Sequence, residues 1–276
     1  MEALEHNIRT YAATMADRNC IWRPHCKAIR SPELAHMLVD AGAIGVTCAK
    51  ISQAAALADG GITDILIANE IVAPAKVAAL IDLAAKVDSL CVAVDDEGAL
   101  RAIAAAAVAA GMHNLDVLVD VNVGMNRCGI HWENLEEIVR LSQLADSLPG
   151  VGFRGLMGYD GGEVATAASS AERLHAARNA VKAAGTTVKI ISGAGSENYW
   201  VASALGEGDS VWEMQGGGGV LCCQKYYNTF NTADDAPSHK SVCQTLSFEH
   251  TRAGCQHNAF ALYDASNQDG LQSIVF

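Results

Sequence analysis

Residues 44–94 read IGVTCAKISQAAALADGGITDILIANEIVAPAKVAALIDLAAKVDSLCVAV. Three β-rich runs, Ile44–Thr47, Asp64–Ile67 and Leu90–Val94, alternate with two longer Ala/Leu-rich runs, Ser52–Ala58 and Ala73–Ala85. The short runs have strand length and the long ones helix length. A strand that returns parallel to its predecessor needs a crossover of about this size, usually a helix. The stretch therefore reads as consecutive parallel βαβ units.

The same alternation extends both ways. Strands are predicted at Cys20–Trp22, Asp116–Val121, Gly152–Leu156, Thr187–Ile191 and Ser210–Met214. Helices are predicted near Ser31–Ala41, Glu97–Ala110, Trp132–Ala145, Ser169–Ala184 and Glu197–Leu205. Ser31–Pro32 is a cap followed by proline at the first helical position, and Gly42, Gly60, Gly111 and Gly185 stand at helix ends. About eight units fit between residues 20 and 215, the number that closes an α/β barrel of the (β/α)8, TIM-like kind. An open doubly wound sheet is the alternative. After Gly219 the composition turns toward Cys, Asn, Gln, Asp and Thr. The expected organisation is a barrel over 1–219 and a small β-rich C-terminal domain over 220–276. Its strand candidates are Val220–Cys223, Thr245–Phe248, Ala259–Tyr263 and Gln272–Val275.

Half of the 276 residues are hydrophobic, 18% are charged and the net charge is −12. No basic block exists to neutralise phosphates, so nucleic acid is not an expected partner. Nine cysteines at irregular spacing do not make a secreted disulfide framework. The first nineteen residues lack the apolar core of a signal peptide, and the longest apolar run, Ala102–Ala110, is too short to span a membrane. The expectation is a cytoplasmic protein with no membrane partner.

Barrel chemistry sits at the carboxyl ends of strands, and that rule selects five places. Trp22-Arg23-Pro24-His25-Cys26-Lys27 follows the first strand; it is a solvated basic loop or a lysine made nucleophilic by neighbouring charge and desolvation. Ser192-Gly193-Ala194-Gly195-Ser196 and Gln215-Gly216-Gly217-Gly218-Gly219 end strands seven and eight, where backbone amides converge on an anion or simply turn tightly. Arg127, in the loop after strand five, has a fork of donors for a phenolate or carboxylate, unless it is a surface arginine. Tyr159, after strand six, is a ring-stacking residue or a rim tyrosine. Cys255 and His257, two apart on a predicted strand, face one side and could share a zinc or manganese ion, or be an ordinary pair.

Together these runs resemble the fold-type III pyridoxal-phosphate enzymes, in the metal-activated branch of D-threonine aldolase, D-3-hydroxyaspartate aldolase and eukaryotic-type D-serine dehydratase. The match is carried by RPHCK at 23–27, GAIGVTCAK at 42–50, DILIANEIV at 64–72, VDVNVGMNRCG at 119–129, GLMGYDG at 155–161, SGAGS at 192–196 and EMQGGGG at 213–219. The resemblance implies that Lys27 is the Schiff-base lysine, that Arg127 lies beside the cofactor ring and that Tyr159 is an aromatic of the site. It places His25, Ser192, Gly193, Gly195, Ser196, Gln215, Gly217 and Gly218 around pyridoxal 5'-phosphate. CQHNAFALYD at 255–264 looks like the family's metal-binding strand, with Cys255 and His257 in reversed order. The resemblance also implies a D-amino acid substrate, a homodimer, an N-terminal strand missing here and a second domain shorter than usual. The expected reaction is retro-aldol cleavage of a D-β-hydroxy-α-amino acid to glycine and an aldehyde. Dehydration of D-serine or D-3-hydroxyaspartate, a non-catalytic cofactor carrier, and a barrel acting on a sugar or acyl phosphate are the alternatives.

Overall fold

A computed structural model of the chain describes residues 2–198 and 210–221. The strands are β1 (Ile21–Trp22), β2 (Val46–Cys48), β3 (Asp64–Glu70), β4 (Ser89–Val94), β5 (Asn114–Asn122), β6 (Ile130–His131), β7 (Gly150–Gly158), β8 (Ile190–Gly193) and β9 (Val211–Met214). The helices are α1 (Glu2–Asp17), α2 (Pro32–Asp40), α3 (Ile51–Asp59), α4 (Pro74–Ala84), α5 (Glu97–Ala109), α6 (Leu135–Ser147) and α7 (Val164–Ala183).

The sheet runs β1-β9-β8-β7-β5-β4-β3-β2, every pairing is parallel, and the two-residue β6 hangs off β5. Its two ends meet. The Cys26 amide donates to Thr47 O (2.8 Å), the Thr47 amide to Pro24 O (2.9 Å) and the Ile44 amide to Trp22 O (2.9 Å). These bonds join the β1 segment to the β2 segment and close the eight-stranded ring. The expected barrel, rather than the open sheet, is what the chain forms.

Alternation along each strand separates an inner from an outer face. Ile65, Ile67, Val92, Val94, Val117, Val119 and Ile191 belong to the core between sheet and helices. Leu66, Cys91, Ala93, Leu118, Met157 and Ile190 form a separate cluster inside the barrel. Arg23 points inward too, 1% exposed, with Nε 2.8 Å from Glu213 Oε2 and Nη1 2.7 Å from Asp64 Oδ1. Gly45 makes room for it. A Cβ there would run into the Asp64 carbonyl oxygen and come 2.8 Å from Arg23 Nη1.

Boundaries differ from the sequence reading where a cap or a pairing decides them. The helix expected from Trp132 begins at Leu135, because the Asn134 side chain accepts from the Glu137 amide and the Trp132 amide bonds back to Asn122 O. The strand expected at Thr187–Ile191 is β8, shifted onward so that Ile190–Gly193 pair with both β7 and β9. The helix expected at Glu197–Leu205 falls mostly outside the described residues. So does nearly all of the C-terminal region. Val220 and Leu221, expected to start a strand, instead lie in a 3-10 turn, Gly218–Leu221, in which the Val220 amide bonds to Gly217 O. Asn7 Nδ2 of α1 holds that turn through Val220 O at 3.0 Å.

Overpacking a close backbone approach typically costs about 1–3 kcal/mol. Gly45→Ala is therefore expected to lower the thermal midpoint by roughly 5 °C in calorimetry. A midpoint within a degree of wild type would show that the Arg23 pocket has slack.

Candidate active site

One cavity of about 270 Å³ opens at the carboxyl ends of the strands. Lys27, His25, Arg127, Tyr159, Gly195, Ser196, Gln215, Gly217 and Gly218 all line it. Ser192 and Gly193 do not. Ser192 is fully buried beneath the cavity, and the Gly193 carbonyl accepts from the Gln215 amide at 3.0 Å. Cys255 and His257 lie outside the described residues.

The turn after β1 is pinned around Lys27. Gln53 Nε2 donates to Cys26 O (2.7 Å), Arg30 Nε to Lys27 O (2.9 Å) and the Lys27 amide to His25 Nδ1 (3.2 Å). The last bond places the His25 proton on Nε2. Burial above all, and then the charges of Lys27 and Arg127, push the imidazole down to about 3. Partial burial and the Arg127 charge lower the Lys27 amine in turn.

Arg127 is presented by an Asn-centred loop. Asn122 Oδ1 accepts from the amides of Gly124 (3.1 Å) and Asn126 (3.0 Å), and the Gly129 amide donates to Asp95 Oδ2 at 2.9 Å. Lys27 Nζ lies 5.3 Å and Arg127 Cζ 5.5 Å from the Tyr159 ring centroid, both within cation–π range. Tyr159 is the aromatic wall that lets two cations share one mouth.

The two glycine turns meet on the other strands. The His25 amide donates to Gln215 O (2.9 Å) and Trp22 Nε1 to Gly216 O (2.7 Å), which seats the second turn on β1. A Cβ at Gly217 would come 2.6 Å from His25 N. The Gly195 amide is taken by Asn198 Oδ1 (2.8 Å) and the Gly219 amide by Ser196 Oγ (2.9 Å), so these two shape the turns. Asn198, fully buried, also donates to Asp160 Oδ2 at 2.7 Å, and Asp160 Oδ1 accepts from the Gly162 amide at 2.9 Å. Asn198 and Asp160 thus latch the loop after β7 to the turn after β8. Sequence reading quoted Asp160 only as part of the run 155–161 and gave Asn198 no role, since a polar residue in a predicted helix carries no signal of a partner 38 positions away.

Behind Arg127, ligand atoms of Glu70, Asp120 and Cys128 lie within 4.8 Å of one another. Burial first, and the Glu70 carboxylate second, push Asp120 up to about 8, and burial pushes the Cys128 thiol up to about 12. Near neutral pH the cluster holds protons, and a divalent ion would have to displace them.

The family model "Alanine racemase, N-terminal domain" matches residues 1–210. The chain belongs to that family. Within the alanine racemase N-terminal family, a D-threonine aldolase from an Arthrobacter species is 38% identical over 191 residues, 69% of this chain and 49% of that one. A 3-hydroxy-D-aspartate aldolase of Paracoccus denitrificans is 30% identical over 216 residues, 75% and 55% of the two chains. The crystal structure of D-threonine aldolase from Filomicrobium marinum superposes with a TM-score of 0.76 at 34% identity, covering 82% of this chain and 62% of that one. The chain thus spans about half the length of the relatives it matches in sequence. The family and barrel expected from the sequence are borne out.

His25 is expected to remain neutral across pH 5–8. Its imidazole carbon shifts in an NMR titration should stay flat over that range, with protonation only near 3. The unfolded imidazole takes up its proton near 6.5, so acidification between those values favours the unfolded chain. A midpoint near 6 would show that water and counter-charge reach the ring.

Proposed function

We propose that the cavity binds pyridoxal 5'-phosphate on Lys27 and that the chain acts on D-β-hydroxy-α-amino acids as a lyase, cleaving them to glycine and an aldehyde. The observation that carries this reading is the shared cavity itself. An amine of lowered pKa, an arginine and a tyrosine ring face the same space as two glycine turns.

The residues fit the cofactor. Lys27 offers an amine to its aldehyde, and the Gly216–Gly218 turn, in which Gly217 packs against His25 too closely for a Cβ, offers backbone to its phosphate. When bound, the pyridine ring withdraws electrons from the substrate Cα, and the protein selects which bond breaks. The chain's residues do the selecting. Tyr159 forms the wall and keeps Lys27 and Arg127 on one side of the cavity. Arg127, permanently charged, attracts an anionic oxygen. Loss of the β-hydroxyl proton accompanies Cα–Cβ cleavage, and Lys27 is better suited to take a proton than His25, whose imidazole is too weak a base. Cys255 and His257 are chemically able to bind zinc or manganese, which would acidify that hydroxyl. A homodimer in the cytoplasm is the assembly and place we assign. Among the described residues no helix is long and apolar enough to cross a membrane.

Incubation with pyridoxal phosphate followed by borohydride should add one reduced cofactor to the wild-type mass and none to Lys27→Ala. Labelling of the variant to the same extent would remove Lys27 from its role. With D-threonine the expected product is glycine. Pyruvate from D-serine, with no glycine from D-threonine, would favour the dehydratase instead. Exhaustive chelation should reduce turnover at least tenfold, with recovery on adding zinc or manganese; undiminished turnover would reject the metal.

A further inference from the structure

The floor of the cavity carries a hydrogen-bond chain whose polarity is set from below. Glu213 is fully buried, and its Oε2 is paired with Arg23 Nε at 2.8 Å. Its other oxygen, Oε1, lies 2.6 Å from Ser192 Oγ. A carboxylate has no hydrogen to give, so Ser192 must donate its single hydrogen to Glu213. Gln215 reaches the same hydroxyl oxygen at 2.9 Å. That hydroxyl has no second hydrogen, so the amide meets it with its –NH2 group. The reverse orientation would set two lone-pair oxygens against each other in a buried place. Gln215 lines the cavity, and among the described residues no donor reaches its Oε1.

We infer that Gln215 is a specificity-determining residue that presents a hydrogen-bond acceptor to the ligand, and that Ser192, Glu213 and Arg23 are positioning residues that hold this polarity. The site reads an N–H or O–H on whatever part of the ligand meets the barrel floor, and disfavours a bare acceptor there. A mismatched group would leave a buried oxygen unpaired, which is how polar pockets discriminate strongly. On a pyridine aldehyde phosphate the donors are the protonated ring nitrogen and the ring hydroxyl. That clause rests on the cofactor reading above, whereas the orientation of the amide does not.

Two measurements test the inference. The first uses the protein without cofactor. In nitrogen-15 NMR spectra the Gln215 side-chain –NH2 signal is identified by its loss in Gln215→Met. Its hydrogen exchange should be at least tenfold slower than that of the exposed glutamines, and the slowing should disappear in Ser192→Ala. Wild-type exchange as fast as that of an exposed glutamine would overturn the inference. The second measures affinity by absorbance titration with pyridoxal phosphate and with analogues lacking the ring nitrogen or the ring hydroxyl. Ser192→Ala and Gln215→Met should each weaken pyridoxal phosphate about tenfold, the usual weight of one such bond. The loss should shrink below twofold for one analogue, which identifies the donor being read. Equal loss for all three compounds would mean general loosening and overturn the inference. Should Ser192→Ala fail to fold, Gln215→Met, at the cavity surface, carries the same comparison. Should the wild type take up no pyridoxal phosphate, the cofactor reading fails, and the exchange measurement still decides the orientation.

Discussion

A single guanidinium inside the barrel organises much of what surrounds it. Arg23 stands just past the first strand, Glu213 on the last and Asp64 on β3. A charge in that position is tolerable only with its partners in place, because removing one from a buried pair typically costs about 3–5 kcal/mol. The pairing therefore specifies register as well as contributing attraction. It fixes which residues of β1 and β9 face inward, and so places His25 and Gln215 side by side at the rim, their backbones bonded at 2.9 Å. Gly45 belongs to the same constraint, since a side chain there would compete with the guanidinium for space.

The rim reverses the interior's electrostatics. Inside, charges are matched; at the mouth, Lys27 and Arg127 share one aromatic wall and depress each other's neighbour, His25. The Cys128 thiol and the Asp120 and Glu70 carboxyls sit behind Arg127 and favour its charged form. A mouth that gathers two cationic side chains suits an anionic ligand. It also keeps the lysine amine closer to its neutral, reactive form.

Much of this was legible in the sequence. Strand–helix alternation located all eight ring strands, because parallel units declare themselves through period and length. The strand-end rule found Lys27, Arg127, Tyr159 and the two glycine turns, because the residues that line a barrel's mouth are tied to topology. What the sequence hid was pairing across the ring. Nothing in Glu213 announces Arg23, 190 positions earlier, and nothing in Asn198 announces Asp160. Glu70, Asp120 and Cys128 come from two strands and a loop, so only the closed sheet brings them together. The C-terminal assignments, Cys255 and His257 among them, fall outside the described residues.

The contacts between α1 and the 3-10 turn have a consequence for how the chain is made. Asn7 bonds to Val220, and the Tyr11 hydroxyl occupies the space that a side chain at Gly219 would need. The bond from Asn7 thus waits for a segment more than two hundred residues downstream. At ordinary translation speeds that interval is roughly 10–45 s, far longer than a helix or hairpin takes to form. During synthesis the nascent sheet carries two open edges, and the ring shuts only after the ninth strand has left the ribosome. Such a chain depends on its early strands staying apart from those of neighbouring chains until its own last strand arrives.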